Sequence, residues 1–72
     1  MDYLIIIEQT EDGYSAYVPD LPGCISIGKD KAEVEKNIRE AIIFHIEGMK
    51  EDGEEIPTAK SDAYKINIPS VA

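Results

Sequence analysis

The sequence predicts an α+β fold with the element order β-β-β-α-β. Three observations predict it: a hairpin signal at Asp12-Gly13, a single long helical periodicity after Asp30, and alternating apolar and polar residues at 63–69. A chain of 72 residues is expected to form one domain, residues 1–72. The helix connects strand three to strand four, so a right-handed crossover brings strand four to the far edge. The predicted sheet has the order 3-2-1-4, with strand four parallel to strand one and the helix on one face.

The first three strands are predicted to form an antiparallel meander. Strand one spans residues 3–9, where the unbroken apolar run LIII is typical of a strand inside a sheet. Strand two spans residues 14–18 and stops there, because Pro19 cannot donate to a ladder. Strand three spans residues 24–28, with Ile25 and Ile27 on one face.

The helix is predicted to begin after Asp30 and to end at Gly53. Asp30 can cap the free N–H groups, and Glu33 follows three residues later, as in a capping box. Gly53 suits a helix end, and Pro57 prevents the helix from resuming. The apolar stripe that should face the sheet consists of Val34, Ile38, Ala41, Ile42, His45 and Met49.

One helix covers only one face of the sheet, which leaves the other face open. The alternation along strands one and two divides their apolar residues between the two faces. The helix side is predicted to carry Ile5, Ile7, Ala16 and Val18, and the open side Leu4, Ile6 and Tyr17. An apolar open face is typical of an interaction surface.

Self-association is expected for a core of this size. A single core in so short a chain contributes only about 3–5 kcal/mol. Ile43 projects from the polar side of the helix, opposite the apolar stripe. We therefore predict a homo-oligomer, a dimer or higher, with Leu4, Ile6 and Ile43 as contacts. The interface of this oligomer is either the open sheet face or an edge strand, and the sequence does not decide between them.

The net charge of the chain indicates which kinds of partner it can bind. Fifteen acids against seven bases give a net charge of −8, which argues against nucleic acid as a direct ligand, because phosphate binding needs clustered Lys and Arg. The same charge favours a basic protein partner, or is simply a solvated acidic surface. Asp2 follows Met1 and no apolar run reaches membrane length, so we expect a cytoplasmic protein without a membrane partner.

The residues that carry chemistry are sparse. Cys24 is the one cysteine, and we expect it to be a small buried apolar residue. His45 is the one histidine, too few for a zinc site with one cysteine. No glycine spacing matches a phosphate-binding loop. The sequence therefore predicts no catalytic residue, no metal and no cofactor.

A nuclease is the alternative from a different class. The 3-2-1-4 order is similar to the first part of a ribonuclease H-like fold, whose two-metal chemistry needs several carboxylates, one of them usually in strand one. Strand one carries no carboxylate before Glu8. A degenerate or unusual metal-dependent nuclease remains open, and Asp20→Ala would test it.

Three segments together resemble the HicB-type antitoxins: DGYSAYVPDLPGC at 12–24, NIREAI at 37–42 and EDGEEIP at 51–57. The resemblance implies a partial ribonuclease H-like domain without the catalytic acids of the nuclease. It implies an antitoxin of a type II toxin–antitoxin system that binds and blocks a small, basic, RNA-cleaving HicA-type toxin. A solitary oligomeric binding module is a further alternative. Many such antitoxins add a C-terminal DNA-binding domain, and no basic helix follows residue 69, so direct DNA binding is not expected here.

The surface predicted to bind the partner is Tyr17, Asp20 and Leu21. They place an aromatic, an acidic and an apolar side chain beside the Pro-Gly turn. Leu21 can instead fold back onto the core, and the sequence does not choose. Gly23 is predicted to adopt a positive φ, as a glycine after proline does in a tight turn.

Overall fold

The computed structural model describes residues 1–70 and consists of three strands followed by one helix. The strands pair in the order β1-β2-β3, antiparallel throughout. The α+β class, the meander and the helix are therefore confirmed. Within residues 1–70, no helix has the length and apolar character to cross a bilayer. The elements are β1 (Ile6–Gln9), β2 (Tyr14–Tyr17), β3 (Ile25–Gly28) and α1 (Lys31–Glu51).

The strand register separates the two faces of the sheet. Ile7 lies opposite Ala16, and Tyr17 lies opposite Ile25. Directly opposed residues share a face, so the first pair faces α1 and the second faces away from it. The helix packs mainly against β3 and β2, which leaves the β1 side less covered. The buried core consists of Ala16, Val18, Leu21, Cys24, Val34 and Ile38.

Both ends of α1 are closed by the residues that the sequence indicated. The Glu33 N–H donates to Asp30 Oδ1 at 2.8 Å, which satisfies one of the free donors of the first turn. Gly53 follows the helix with a φ of 71°, and the Glu54 N–H donates to the Met49 carbonyl at 2.9 Å. This bond and the left-handed glycine define a Schellman motif. The helix therefore has a fixed start and a fixed end.

The predicted fourth strand does not form in this structure. Residues 63–68, called the tail below, have no strand assignment and are exposed throughout. The described sheet thus has three strands, and β1 is an edge rather than an inside strand. The anchored part of the C-terminal segment ends at Ser61, and no backbone ladder joins the tail to β1.

Candidate functional site

The loop between β2 and β3 is closed by its own backbone. The Leu21 N–H donates to the Val18 carbonyl at 3.0 Å, and the Cys24 N–H donates to the Leu21 carbonyl at 3.1 Å. A third bond, from the Val18 N–H to the Cys24 carbonyl at 3.2 Å, closes its base. Gly23 has a φ of 84°, which confirms the positive φ predicted for it. The loop is consequently a rigid platform between two strands.

Leu21 points inward from this loop. Its side chain is 0% exposed and belongs to the core. The sequence allowed Leu21 to lie either on the surface or folded back onto the core. The structure shows it folded back, so Leu21 is not a surface anchor. The physical reason is that the three backbone bonds curl the loop over the sheet and direct this side chain toward α1.

Asp20 is also turned away from solvent, with 8% of the residue exposed. Its Oδ2 accepts hydrogen bonds from the backbone N–H groups of Lys60 and Ser61, both at 2.9 Å. Its Oδ1 accepts one from the Ser61 hydroxyl at 2.8 Å. Asp20 was predicted to meet a partner, and in the free chain it instead anchors the start of the C-terminal segment.

A second anchor supports the first one. The Tyr3 hydroxyl donates to the Pro57 carbonyl, next to the start of β1. Together the two anchors hold residues 57–61 against the end of the sheet where β2 leaves it. Sequence reasoning missed both, because partners 54 and 41 residues apart leave no local pattern.

These hydrogen bonds perturb the acidity of Asp20. The backbone N–H and the hydroxyl of Ser61 lower the pKa of its carboxyl below the ordinary 3.8, with a further contribution from the Lys60 backbone. Folding therefore favours the ionised form. The stabilisation that follows is complete above pH 3.8 and is lost as the pH falls through the folded-state pKa.

Asp20→Ala should lower the melting temperature at pH 7 and accelerate amide hydrogen exchange at Lys60 and Ser61, because all three acceptor contacts disappear. The difference between wild type and variant should shrink as the pH is lowered below 3.8, where Asp20 itself becomes protonated. Asp62→Ala is the matched control, because that carboxylate is exposed and bonds only to its own neighbour. Equal melting temperatures for Asp20→Ala and wild type at pH 7 would contradict the anchoring role.

The face of the sheet that α1 does not cover is apolar and exposed. Tyr17 is 39% exposed, Ile25 70% and Ile27 74%, and Ile6 lies opposite Tyr17 in the register. These four residues are called the open face below. The sequence had placed Tyr17 and Ile6 there. The sequence had also predicted that Ile25 and Ile27 share a face of the sheet, but it did not indicate which face. The register of β3 against β2 shows that it is the face away from α1.

The other predicted contact residues are distributed differently. Leu4 is half-buried beside the open face. Ile43 is 54% exposed on α1, next to Phe44 at 79%. The Cys24 side chain is buried as predicted, and burial raises the pKa of its thiol. Within residues 1–70, no three His, Cys, Asp or Glu side chains lie close enough together to hold a metal ion.

Comparison with known proteins identifies what this arrangement is similar to. Residues 3–71 match the model of a family described as HicB-like antitoxin of bacterial toxin–antitoxin systems. A UPF0150 protein of Thermoplasma acidophilum is 45% identical over 69 residues, covering 94% of this chain and 97% of that protein. An uncharacterized 14.9 kDa protein of Haemophilus phage HP1 is 51% identical over 96% of this chain. This chain spans about half of the phage protein, 52% of its length.

A solved structure shares the fold. A chain in a HicA3 and HicB3 toxin–antitoxin complex superposes with a TM-score of 0.72 at 37% sequence identity. The match covers 83% of this chain and 70% of the other. At that identity the likeness extends beyond the fold to the sequence.

Proposed function

Because the chain belongs to the HicB-like antitoxin family, we propose that it binds and blocks a small, basic, RNA-cleaving toxin of the HicA type. The family is one of antitoxins, so this protein is not an enzyme. The observation that carries the proposal is the likeness to a chain of a HicA3 and HicB3 complex. The encounter would take place in the cytoplasm, where an RNA-cleaving toxin meets its substrate.

Charge supports a basic partner. The net charge of −8 attracts a cationic protein over roughly the 8 Å Debye length at physiological ionic strength. Such steering raises association rates more than it lowers dissociation rates. The affinity should therefore fall with added salt. The same charge repels the phosphate backbone of DNA and RNA, so a protein is the ligand that we propose.

The open face is the surface that we assign to the toxin. Tyr17 lies at its centre, between Ile6 and Ile25 in the register, and its ring is the one aromatic group among these residues. Exposed aromatic side chains on an apolar patch are the usual anchors of a protein interface. Glu8 shares this face, because it lies opposite Ser15, and adds an acidic group beside the patch. Asp20 and Leu21 act on this surface indirectly, by holding the loop behind it.

Replacing Tyr17 with Ala should weaken toxin binding at least about tenfold, because the aromatic anchor is lost from the centre of the patch. The measurement is calorimetric titration with the small basic protein that we expect the neighbouring gene to encode. An RNA-cleavage assay with that protein gives the functional readout. The variant should keep its helical circular dichroism spectrum, since Tyr17 lies outside the core.

The control for this experiment is Phe44→Ala. Phe44 is an exposed aromatic residue on α1, away from the open face, and its loss should change the affinity less than about twofold. If the wild-type chain neither binds the toxin nor inhibits RNA cleavage, the proposed function is wrong. If it inhibits and Tyr17→Ala inhibits equally well, the toxin occupies a different surface.

We also propose that the chain forms a homo-oligomer as one HicB-like domain. Support comes from the apolar surface that the monomer leaves uncovered, to which the predicted contacts Leu4, Ile6 and Ile43 contribute. A fourth strand at the β1 edge would complete the partial ribonuclease H-like sheet that the resemblance implies.

A further inference from the structure

The tail has the residue pattern of a β-strand, but it does not belong to the sheet. Tyr64 is 84% exposed, Ile66 70% and Ile68 52%, and they alternate with Lys65 and Asn67. Period-two alternation with one apolar side is the pattern of a strand that covers a core. No ladder within residues 1–70 uses the backbone groups of the tail. The tail is therefore built for pairing that the single chain does not provide.

The accessible surface and the dimensions of the chain are also larger than those of a compact domain. Its accessible surface of 5902 Å² is about a third larger than the roughly 4,400 Å² expected for a compact protein of its mass. Its radius of gyration is 14.5 Å, where a compact chain of this length has about 11 Å. The longest dimension, 50 Å, also exceeds the roughly 31 Å length of α1. The single chain thus exposes more surface than a compact domain does.

A groove beside β1 has the shape and composition to receive such a strand. It opens between the edge of β1 and α1, because α1 packs over β3 and β2. The edge of β1 is unpaired, whereas the Asn37 amide already occupies the Ile27 carbonyl of β3, the other outer strand. The groove is lined by Tyr3, Ile5, Ile7 and Ile42, together with Met1, Asp2 and the ion pair of Glu35 and Arg39.

We propose that the tail of one copy pairs with β1 of a second copy, parallel to it, and that two copies exchange tails reciprocally. Tyr64, Ile66 and Ile68 then enter the groove on the helix side, next to Ile5 and Ile7. The sheet of each copy gains the fourth strand in the 3-2-1-4 order, supplied by the other chain. A two-fold axis satisfies both grooves and both tails at once.

The state of the tail in the single chain favours a second copy as the occupant. The anchors at Pro57 and Ser61 hold the base of the tail on its own body, but beyond them residues 63–68 are exposed and pair with no strand of their own chain. Reciprocal pairing keeps the anchors intact and needs no other protein. It does not depend on toxin binding.

Amide hydrogen exchange of the wild-type protein tests the exchange directly. Sedimentation should show a concentration-dependent dimer, and the tail amides should be protected at about 100 µM and unprotected well below the dissociation constant. Protection that is independent of concentration, in a monomer, would mean that the tail folds onto its own β1 and would overturn the proposal. A dimer with an unprotected tail would also overturn it, in favour of the open face.

Two matched variants add a second readout. Ile66→Asp and Asn67→Asp each introduce one negative charge on adjacent residues that lie on opposite sides of the tail. Ile66→Asp should raise the dimer dissociation constant at least about 100-fold, because it places a carboxylate in an apolar groove, whereas Asn67→Asp should change it less than about threefold. Both residues are exposed in the single chain, so the monomer fold is unaffected. Equal effects of the two substitutions would contradict the proposed orientation of the tail.

Discussion

Leu21→Asp should leave the chain without a cooperative unfolding transition. Leu21 is fully buried in the core with Val18, Cys24 and Ile38, where a carboxylate finds no partner. Truncation of such a leucine to alanine alone costs about 2–5 kcal/mol. The whole domain is expected to have only about 4–11 kcal/mol of stability at this length. The free-energy cost of the buried charge, added to that of the lost packing, therefore exceeds the free energy of unfolding of the domain.

The measurement is urea unfolding followed by circular dichroism, with Leu21→Met as the control. Leu21→Met keeps the volume and the apolar character and should cost less than about 1.5 kcal/mol. If Leu21→Asp unfolds at the wild-type urea midpoint, the side chain is able to leave the core. Leu21 would then lie on the surface in solution, which was the other of the two alternatives that the sequence allowed.

Gly28→Ala should destabilise the fold strongly, although it adds only one methyl group. A Cβ at this position would collide with the backbone N and Cα of Val34, where the first turn of α1 lies against β3. Backbone atoms cannot rotate aside as a side chain does, so the helix would have to lift off the sheet. Overpacking of this kind costs about 1–3 kcal/mol or more, and we expect the upper end of that range.

Gly48→Ala is the matched control for the same added methyl group. Its Cβ would meet nothing within 4 Å, and alanine in a helix interior is about 0.5–1 kcal/mol more favourable than glycine. The two substitutions should therefore shift the urea midpoint in opposite directions. A neutral Gly28→Ala would mean that the contact between β3 and α1 is looser than the structure indicates.

The parts of the fold that depend on neighbouring residues could be predicted from the sequence. Asp30 and Gly53 bound the helix because capping involves residues only a few positions apart. Gly23 follows the same logic, since a turn is specified by its own residues. Helical periodicity also predicted that Val34, Ile38, Ala41 and Ile42 face the core. The predicted stripe left out Ile46, which packs against the core, and included His45 and Met49, which are not in the core cluster.

The features that join distant parts of the chain could not be predicted. Asp20 was interpreted as a surface acid, because nothing near it in the sequence shows that Ser61 would donate to it. The close approach at Gly28 depends on where α1 lands on the sheet, which one glycine does not reveal. The alternation at 63–69 predicted a fourth strand, and the structure shows none there, because an alternating pattern does not supply a neighbouring strand to pair with.

The anchors at Pro57 and Ser61 are expected to form late in folding. The strands and α1 pair with close neighbours in sequence, whereas these anchors join residues 54 and 41 positions apart. Contacts that close long loops lose more chain entropy before they form, so they belong to a late step of folding. For the same reason they open first in local unfolding. The C-terminal segment can therefore detach and re-dock while the sheet and the helix remain folded.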